Sequence, residues 1–381
     1  MPGRRMTTVI FSADFHQSGS AAVGAGWELS GKSLKFAPVM IYISREGEVI
    51  RTDHTLNAVV DLYDAWQGGL PEITLNTSGS TGAPKRITLT REAILASVKL
   101  TVEAFDLHSS DFFLCNLNTD YIAGKMMVIR AAETGCDLMA VPPSANPFAE
   151  LENQASLFAR NRGNNFFSFV PLQLQNILNN DSHTHLLCTA KAILAGGAPV
   201  PEDTRQKIEE LQLPVFETYG MTETISHIAL KDLRSGEPFF TSLPGVNLET
   251  DEHGCLRIQS PSTLNQWITT HDVVEMVSSG KFILKGRRDN IINSGGVKIQ
   301  AEEVERAIAA AFPTLGNFFC YGLPDDTLGQ RLVLVIEGDG PEPDLSLPDL
   351  PRYHIPKNII RVKEFVKTPS GKTDKIKTIA S

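Results

Sequence analysis

The 381-residue sequence has no C-x-x-C pair, no long apolar run and no basic tract. Its five cysteines, Cys115, Cys136, Cys188, Cys255 and Cys320, are scattered. That argues against a disulfide frame or a zinc knuckle, and for reduced thiols in a cytoplasmic protein. No stretch reaches the roughly 18 apolar residues of a membrane helix, so no membrane span is expected. The start is basic, but Thr7, Thr8, Ser12 and Asp14 interrupt any signal-like segment. A net charge of −9 without lysine or arginine tracts makes nucleic acid a poor partner. His183 and His185 form the only close histidine pair. With no third ligand type nearby they read as a solvated loop rather than a metal site. The hydrophobic content of 42% is ample for a core. The length suggests two to three domains of about 150 residues.

Residues 77–85 read TSGSTGAPK. Gly79 and Gly82 allow positive φ and close backbone approach to a ligand. Successive N–H groups in such a loop can converge on one anion. Thr77, Ser78, Ser80 and Thr81 add hydroxyl donors, and Lys85 adds a compact cation suited to phosphate. The spacing is not that of a P-loop, which needs four residues between its last two glycines and a helix directly after. Here Ile73–Leu75 and Arg86–Thr90 alternate like strands, so the loop reads as a hairpin tip. A plain polar turn is the competing reading.

Further along, a helix is expected near Leu56–Trp66. Thr90 can cap a second helix with Ile94, Leu95, Val98, Val102 and Phe105 on one face. Strand-like Phe112–Leu114, Leu138–Val141, Phe166–Val170 and Ala192–Leu194 alternate with helix-like 121–132 and Leu172–Leu178. This is an α/β pattern with a mainly parallel sheet. Short strands follow over 240–285, forming a small β portion. A helix over 300–312 should bury Val304, Ile308 and Ala311. Phe318–Tyr321 and Leu332–Ile336 read as strands of a small α+β tail domain, and 338–352 as a loop.

Four more stretches carry chemistry. ETYGMTET, 217–224, offers Glu223 as a carboxylate for Mg²⁺ and Thr222 as a phosphate donor, against a surface turn. AGGAPVP, 195–201, has paired glycines that let a flat ring approach the backbone, against a simple strand-to-helix turn. GRRDNIINSGGVKIQAEEVE, 286–305, presents Arg287 as a five-donor fork, and Gly295-Gly296 demands an unusual backbone. TPSGKTDK, 368–375, places Lys372 in a Pro/Ser/Gly loop that by itself reads as a flexible tail.

Together and in this order, the five stretches resemble the adenylate-forming enzymes: acyl-CoA synthetases, peptide-synthetase adenylation domains and luciferases. The resemblance runs from about Trp66 to Lys375. It implies a large N-terminal domain over 1–288 that binds ATP and the acid, and a small mobile domain over 289–381. It implies that Thr77, Ser78, Gly79, Ser80, Thr81, Gly82 and Lys85 hold the ATP phosphates. Gly196 and Gly197 would flank adenine, with Tyr219 on its other face. Thr222 and Glu223 would serve phosphate and Mg²⁺. Asp272 and Arg287 would bind ribose, Asp289 would be the hinge, and Gly295 and Gly296 would pass near the pantetheine arm of CoA. Lys372 would drive adenylation. Small-molecule acid, ATP and CoA are then the expected partners, and a homodimer is left open.

The chain departs from the family pattern in places. Only about 75 residues precede the phosphate loop. His271 stands where glycine usually precedes the ribose aspartate, and 115–127 read CNLNTDYIAGKMM. The short lead-in and the run YIAGKMMVIRA are similar to compact o-succinylbenzoate–CoA ligases of menaquinone synthesis. That acid keeps a second carboxylate, for which Lys125 or Arg130 could supply a cation. The competing reading is an interior helix with snorkelling cations. The alternatives for the whole chain are a generic aryl- or acyl-CoA synthetase, an adenylation enzyme loading a carrier protein, and an inactive nucleotide-binding homologue. Lys85, Glu223, Asp272, Arg287 and Lys372 are all present, which argues against the last.

Overall fold

A computed structural model describes residues 8–10, 27–29, 32–34, 40–52, 55–77, 85–345, 347, 350–367 and 373–380. The chain divides into two compact units. One takes the described residues up to Thr77, Arg86–Val246 and Ser260–Gln266; the other takes Lys85, Asn247–Gln259 and the described residues from Trp267 onward.

The first unit opens with short strands β1 (Thr8–Ile10), β2 (Trp27–Leu29), β3 (Lys32–Leu34), β4 (Ile41–Ile43) and β5 (Val49–Arg51). Then follow α1 (Asn57–Gln67), β6 (Glu72–Thr77), β7 (Lys85–Thr90), α2 (Arg91–Phe105), β8 (Phe112–Cys115), α3 (Ile122–Thr134) and β9 (Asp137–Ala140). Next come α4 (Ala155–Arg160), β10 (Asn165–Phe169), α5 (Pro171–Leu178), α6 (Asp181–Leu187), β11 (Ala190–Ala195) and α7 (Glu202–Glu210). The unit closes with β12 (Val215–Met221), β13 (Ser226–Asp232) and β14 (Phe240–Ser242).

The sheet of this unit runs β1-β5-β4-β9-β8-β10-β11-β12-β13-β14. Its centre, β9 through β12, is parallel, and β13 and β14 add on antiparallel. Central parallel strands are covered on both faces, which is why FFLC is apolar without a break. Phe113 and Cys115 enter the core shared with α1, α2 and α3. Phe112 and Leu114 enter the opposite core, beside Phe148, Phe158, Phe167 and Phe169. Strand alternation alone sends successive phenylalanines to different cores.

Local signals set the helix ends. Thr90 accepts a hydrogen bond from the Ala93 N–H at 3.3 Å, as its capping role requires. Gly135 closes α3 in the left-handed region. The tip expected between 77 and 85 is flanked by β6 and β7, which pair with each other, the Thr74 and Thr88 hydroxyls lying 3.2 Å apart. The histidine pair is a correction: it lies in α6, not in a loop. Asn180 caps that helix by accepting from the Ser182 N–H at 3.0 Å, and Leu186 and Leu187 anchor it. His183 is buried against Asn146, its Nδ1 2.9 Å away, while His185 is exposed.

In the second unit β15 (Asn247–Thr250), β16 (Cys255–Gln259), β17 (Trp267–Ser278) and β18 (Lys281–Arg287) form an antiparallel run. A further sheet has the order β20-β19-β22-β21, with β23 beside β22. Its strands are β19 (Ile291–Ser294), β20 (Val297–Gln300), β21 (Phe318–Asp325), β22 (Gly329–Glu337) and β23 (Asn358–Val362). Helix α8 (Ala301–Ala311) buries Val304 and Ile308 against Ile299, Cys320 and Leu334. Ala311 shares that face by spacing but is exposed: it is the last helical residue, where the chain turns away. Helix α9 (Lys375–Ala380) ends the described chain. Among the described residues, no helix is long and apolar enough to cross a membrane.

Candidate active site

Two groups of the expected residues sit in the first unit. Strand β11 ends at Gly196-Gly197, and β12 carries Thr218 and Tyr219 alongside. A Cβ on Gly196 would lie 2.4 Å from Thr218 Oγ1, so only glycine fits there. Gly197 has φ +92°, and the nearest atom to a Cβ built on it is Val170 Cγ1 at 3.9 Å. Gly197 therefore leaves open backbone of the kind a flat ring requires. Tyr219 is buried and tilted against Phe240, the rings 5.8 Å apart.

Beyond β12 the chain makes a tight turn. Thr222–Thr224 form one 3₁₀ turn, and Thr224 Oγ1 accepts from the Met221 N–H at 2.9 Å. Ile225 and Ser226 then have φ of 66° and 151°, both unusual for side-chain-bearing residues. A Cβ on Gly220 would sit 2.1 Å from the Ser226 carbonyl oxygen, so glycine is compulsory in YGM. The turn leaves Thr222 and Glu223 half-exposed. No group of three metal-ligating side chains exists among the described residues. A lone Glu223 suits Mg²⁺, which takes few protein carboxylates when phosphate oxygens complete its shell.

The second group surrounds α3. Gly124 is forced, because a Cβ there would meet the Asn118 carbonyl oxygen at 2.3 Å. Lys125 is half-buried; burial lowers its pKa and Asp120 raises it. Arg130 is buried to 2% exposure. Its Nη2 donates to Ser226 Oγ at 3.0 Å, and its Nε has no hydrogen-bond partner among the described residues. No carboxylate among them pairs with it, and burial pushes its pKa down to about 9. His227, next to Ser226, is buried; burial first and the Arg130 charge second hold its pKa well below the ordinary histidine value. The sequence reading had singled out neither Ser226 nor His227.

In the second unit, β17 and β18 set Asp272 directly opposite Arg287. Arg287 Nη1 is 3.4 Å from Asp272 Oδ1, and its Nη2 donates to Asp289 Oδ2 at 2.9 Å. His271, the residue in the usual glycine position, places Nδ1 2.9 Å and 3.1 Å from the two Asp289 oxygens. Burial pushes the Asp289 carboxyl up, but hydrogen bonds from His271 and Arg287 outweigh it and leave its pKa lowered. Glu302, at the start of α8, accepts from the Arg287 N–H at 3.2 Å and from Gln300 Nε2 at 2.6 Å. Gly295 and Gly296, with φ of 59° and 82°, form the two-residue turn from β19 to β20. Two successive positive φ values are what a tight hairpin demands.

Strand β6 ends at Thr77 and β7 begins at Lys85. Ser78, Gly79, Ser80, Thr81 and Gly82 lie outside the described residues, as does Lys372.

The α/β fold, a mixed sheet with helices, is that of the adenylate-forming class of enzymes. A family model described as AMP-binding enzyme matches residues 73–249. The chain is 40% identical to an acyl-CoA synthetase (AMP-forming)/AMP-acid ligase II-like protein from Dyadobacter fermentans, over 84% of this chain and 93% of that one, with a TM-score of 0.56. It is 31% identical to the 2-succinylbenzoate–CoA ligase of Escherichia coli K12, over 71% of this chain. The match spans 59% of that ligase's length. Wild-type E. coli MenE with a bound m-phenylether-linked analogue of OSB-AMS superposes with a TM-score of 0.61 at 26% identity, over 81% of this chain and 68% of that one. The chain belongs to the AMP-binding enzyme family.

Proposed function

We propose that this protein is an AMP-forming acid–CoA ligase whose favoured acid is o-succinylbenzoate. The carboxylate attacks the α-phosphorus of ATP, the bond to pyrophosphate breaks, and acyl-AMP forms. The CoA thiolate then attacks the acyl carbon and expels AMP. The first step builds negative charge around the α-phosphate, where fixed cations and N–H donors act most strongly.

In this reading the 77–82 loop and Lys85 hold the phosphates, and Thr222 donates to them. Glu223 holds Mg²⁺, which neutralises phosphate charge. Gly196, Gly197 and Tyr219 enclose adenine, while Asp272 and Arg287 take the ribose. Lys372 serves adenylation, Asp289 is the pivot of a mobile domain beginning at 289, and Gly295-Gly296 lie beside the CoA arm.

One observation carries the choice of acid. Arg130 is a buried guanidinium with no carboxylate partner among the described residues. A buried charge is costly unless paired, and truncating one partner of a buried pair leaves such a penalty. A substrate that brings its own second carboxylate supplies the missing partner. Half-exposed Lys125 has water as an alternative and is the weaker candidate. Names of relatives agree with this choice.

The test is acid-dependent exchange of pyrophosphate into ATP across a panel of acids. Exchange should be strongest with o-succinylbenzoate and should fall when the second carboxylate is removed from the same skeleton. A panel in which the monocarboxylate exchanges equally well overturns the choice of acid. No exchange with any acid overturns the ligase reading.

A further inference from the structure

Thr101, Arg130, Ser226 and His227 come from α2, α3 and the start of β13, and all lie in the first unit. Thr101 and His227 are buried. The Thr101 hydroxyl donates to the Ser97 carbonyl at 3.2 Å, the familiar i to i−4 bond within α2. Its one hydrogen is therefore used. With that hydrogen on the Ser97 carbonyl, the 3.2 Å contact between Thr101 Oγ1 and His227 Nε2 is a donation from the ring. In that arrangement Nε2 carries the hydrogen and Nδ1 is an acceptor. Ser226 Oγ lies 3.3 Å from Nδ1 and accepts from Arg130 Nη2 at 3.0 Å, so its own hydrogen goes to the ring. The donations run in one direction: Arg130 Nη2 to Ser226, Ser226 to His227, His227 to Thr101, Thr101 to Ser97.

We propose that His227, held by Thr101, is a positioning residue that locks the Arg130 guanidinium through Ser226, and so sets selectivity for acids with a second carboxylate. This rests on the reading of Arg130 as the carboxylate partner. The lock works only while the ring is neutral. A protonated ring would donate from Nδ1 to Ser226, which already accepts from Arg130. The Ser226 hydrogen would lose its acceptor, and a second cation would stand beside the first. From α3 the charge facing the ring is Arg130. From α2 the ring meets Thr101, while Lys99 and Glu103 pair with each other at 3.7 Å on the exposed side. On β13 the next charge, Lys231, is paired with Glu217.

The experiment measures kcat and KM for o-succinylbenzoate and for the same skeleton without its second carboxylate, from pH 5 to 8. The enzymes are the wild type, His227→Leu, His227→Asn, Thr101→Val and Arg130→Gln. His227→Leu and Thr101→Val should raise KM for the dicarboxylate about tenfold, the scale of one charge-assisted contact. Their kcat, and their KM for the monocarboxylate, should stay within about twofold. His227→Asn should keep most of the affinity, because its amide oxygen can accept from Ser226 where Nδ1 did. Because the ring is held neutral well below the ordinary histidine value, the wild-type KM for the dicarboxylate should stay level from pH 8 to about 6. If Arg130→Gln discriminates between the two acids while folded His227→Leu and Thr101→Val do not, the proposal is wrong and the reading of Arg130 stands. If Arg130→Gln does not discriminate either, that reading falls and the proposal with it. Thr101→Val keeps the test open should His227→Leu not fold.

Discussion

Arg130 and Arg287 carry the same guanidinium in opposite settings. Arg287 is 42% exposed and reaches two carboxylates, Asp272 and Asp289. Arg130 is 2% exposed and reaches one serine hydroxyl. The half-exposed arginine is already neutralised, so it can hold a neutral, polar group such as a ribose without needing one. The buried arginine is left short of an anion where water cannot make up the deficit. A protein keeps such a group at a cost in stability, and the return is a site that discriminates by charge.

The largest expected effect tests the buried member. Arg130→Gln should raise KM for the dicarboxylate by roughly tenfold to a hundredfold, one lost charge-assisted contact of about 1.5–3 kcal/mol. The same variant should unfold at equal or higher urea concentration than the wild type, because an uncompensated buried charge has gone. A marked loss of stability would mean that Arg130 has a carboxylate partner in the fold, and the contrast would collapse.

Arg287→Gln should do the reverse. It should weaken ATP binding and leave selectivity between acids untouched. Its effect on stability should stay within about 1 kcal/mol, as for other solvent-screened ion pairs. Isothermal titration with ATP and a urea melt check both halves. A change in selectivity between acids in this variant would erase the distinction between the two arginines.

The smallest effects lie in the pH dependence of stability, and their signs differ. His227 beside Arg130 is held neutral in the fold, whereas an unfolded histidine takes up a proton below about pH 6.5. Stability should therefore fall as pH drops below about 6.5, and His227→Asn should flatten that part of the curve. Asp289 beside Arg287 has a lowered pKa, so its contribution is complete above about pH 4. It is lost only as pH falls through the lowered value. Asp289→Asn should lower stability by a constant amount above about pH 4, an offset that shrinks only as pH falls below it. Urea midpoints measured from pH 3 to 8 in the two variants separate the regions.

Much of the frame was legible beforehand. The capping role of Thr90, the buried strand at Phe112–Leu114 and the helix from Ala301 follow from short-range rules, and the structure has each. The Gly295-Gly296 turn was equally plain, because two adjacent glycines have few other uses. His183 was misread, since a short polar stretch resembles a loop until Asn180 is seen to cap it. Ala311 was misread because spacing predicts a face but not where cover ends. Ser97 and Thr101 carried a readable hint: they are hydroxyls four apart within the apolar stripe of α2. That spacing gave no clue to what Thr101 would meet.

The sequence by itself determined the alternation of the main strands and helices, the tight Gly295-Gly296 turn, and the five stretches that mark an adenylate-forming enzyme. These depend on residues within a few positions of one another, so local sterics and hydrogen bonding decide them. Only the tertiary structure decided that Arg130 lacks a carboxylate among the described residues, that Arg287 has two, and that His227 joins Ser226 to Thr101. Thr101 and His227 are 126 positions apart in the chain, and Arg130 and Ser226 are 96 apart. Burial and charge pairing at such distances depend on which elements the sheet brings side by side, and no local pattern encodes that.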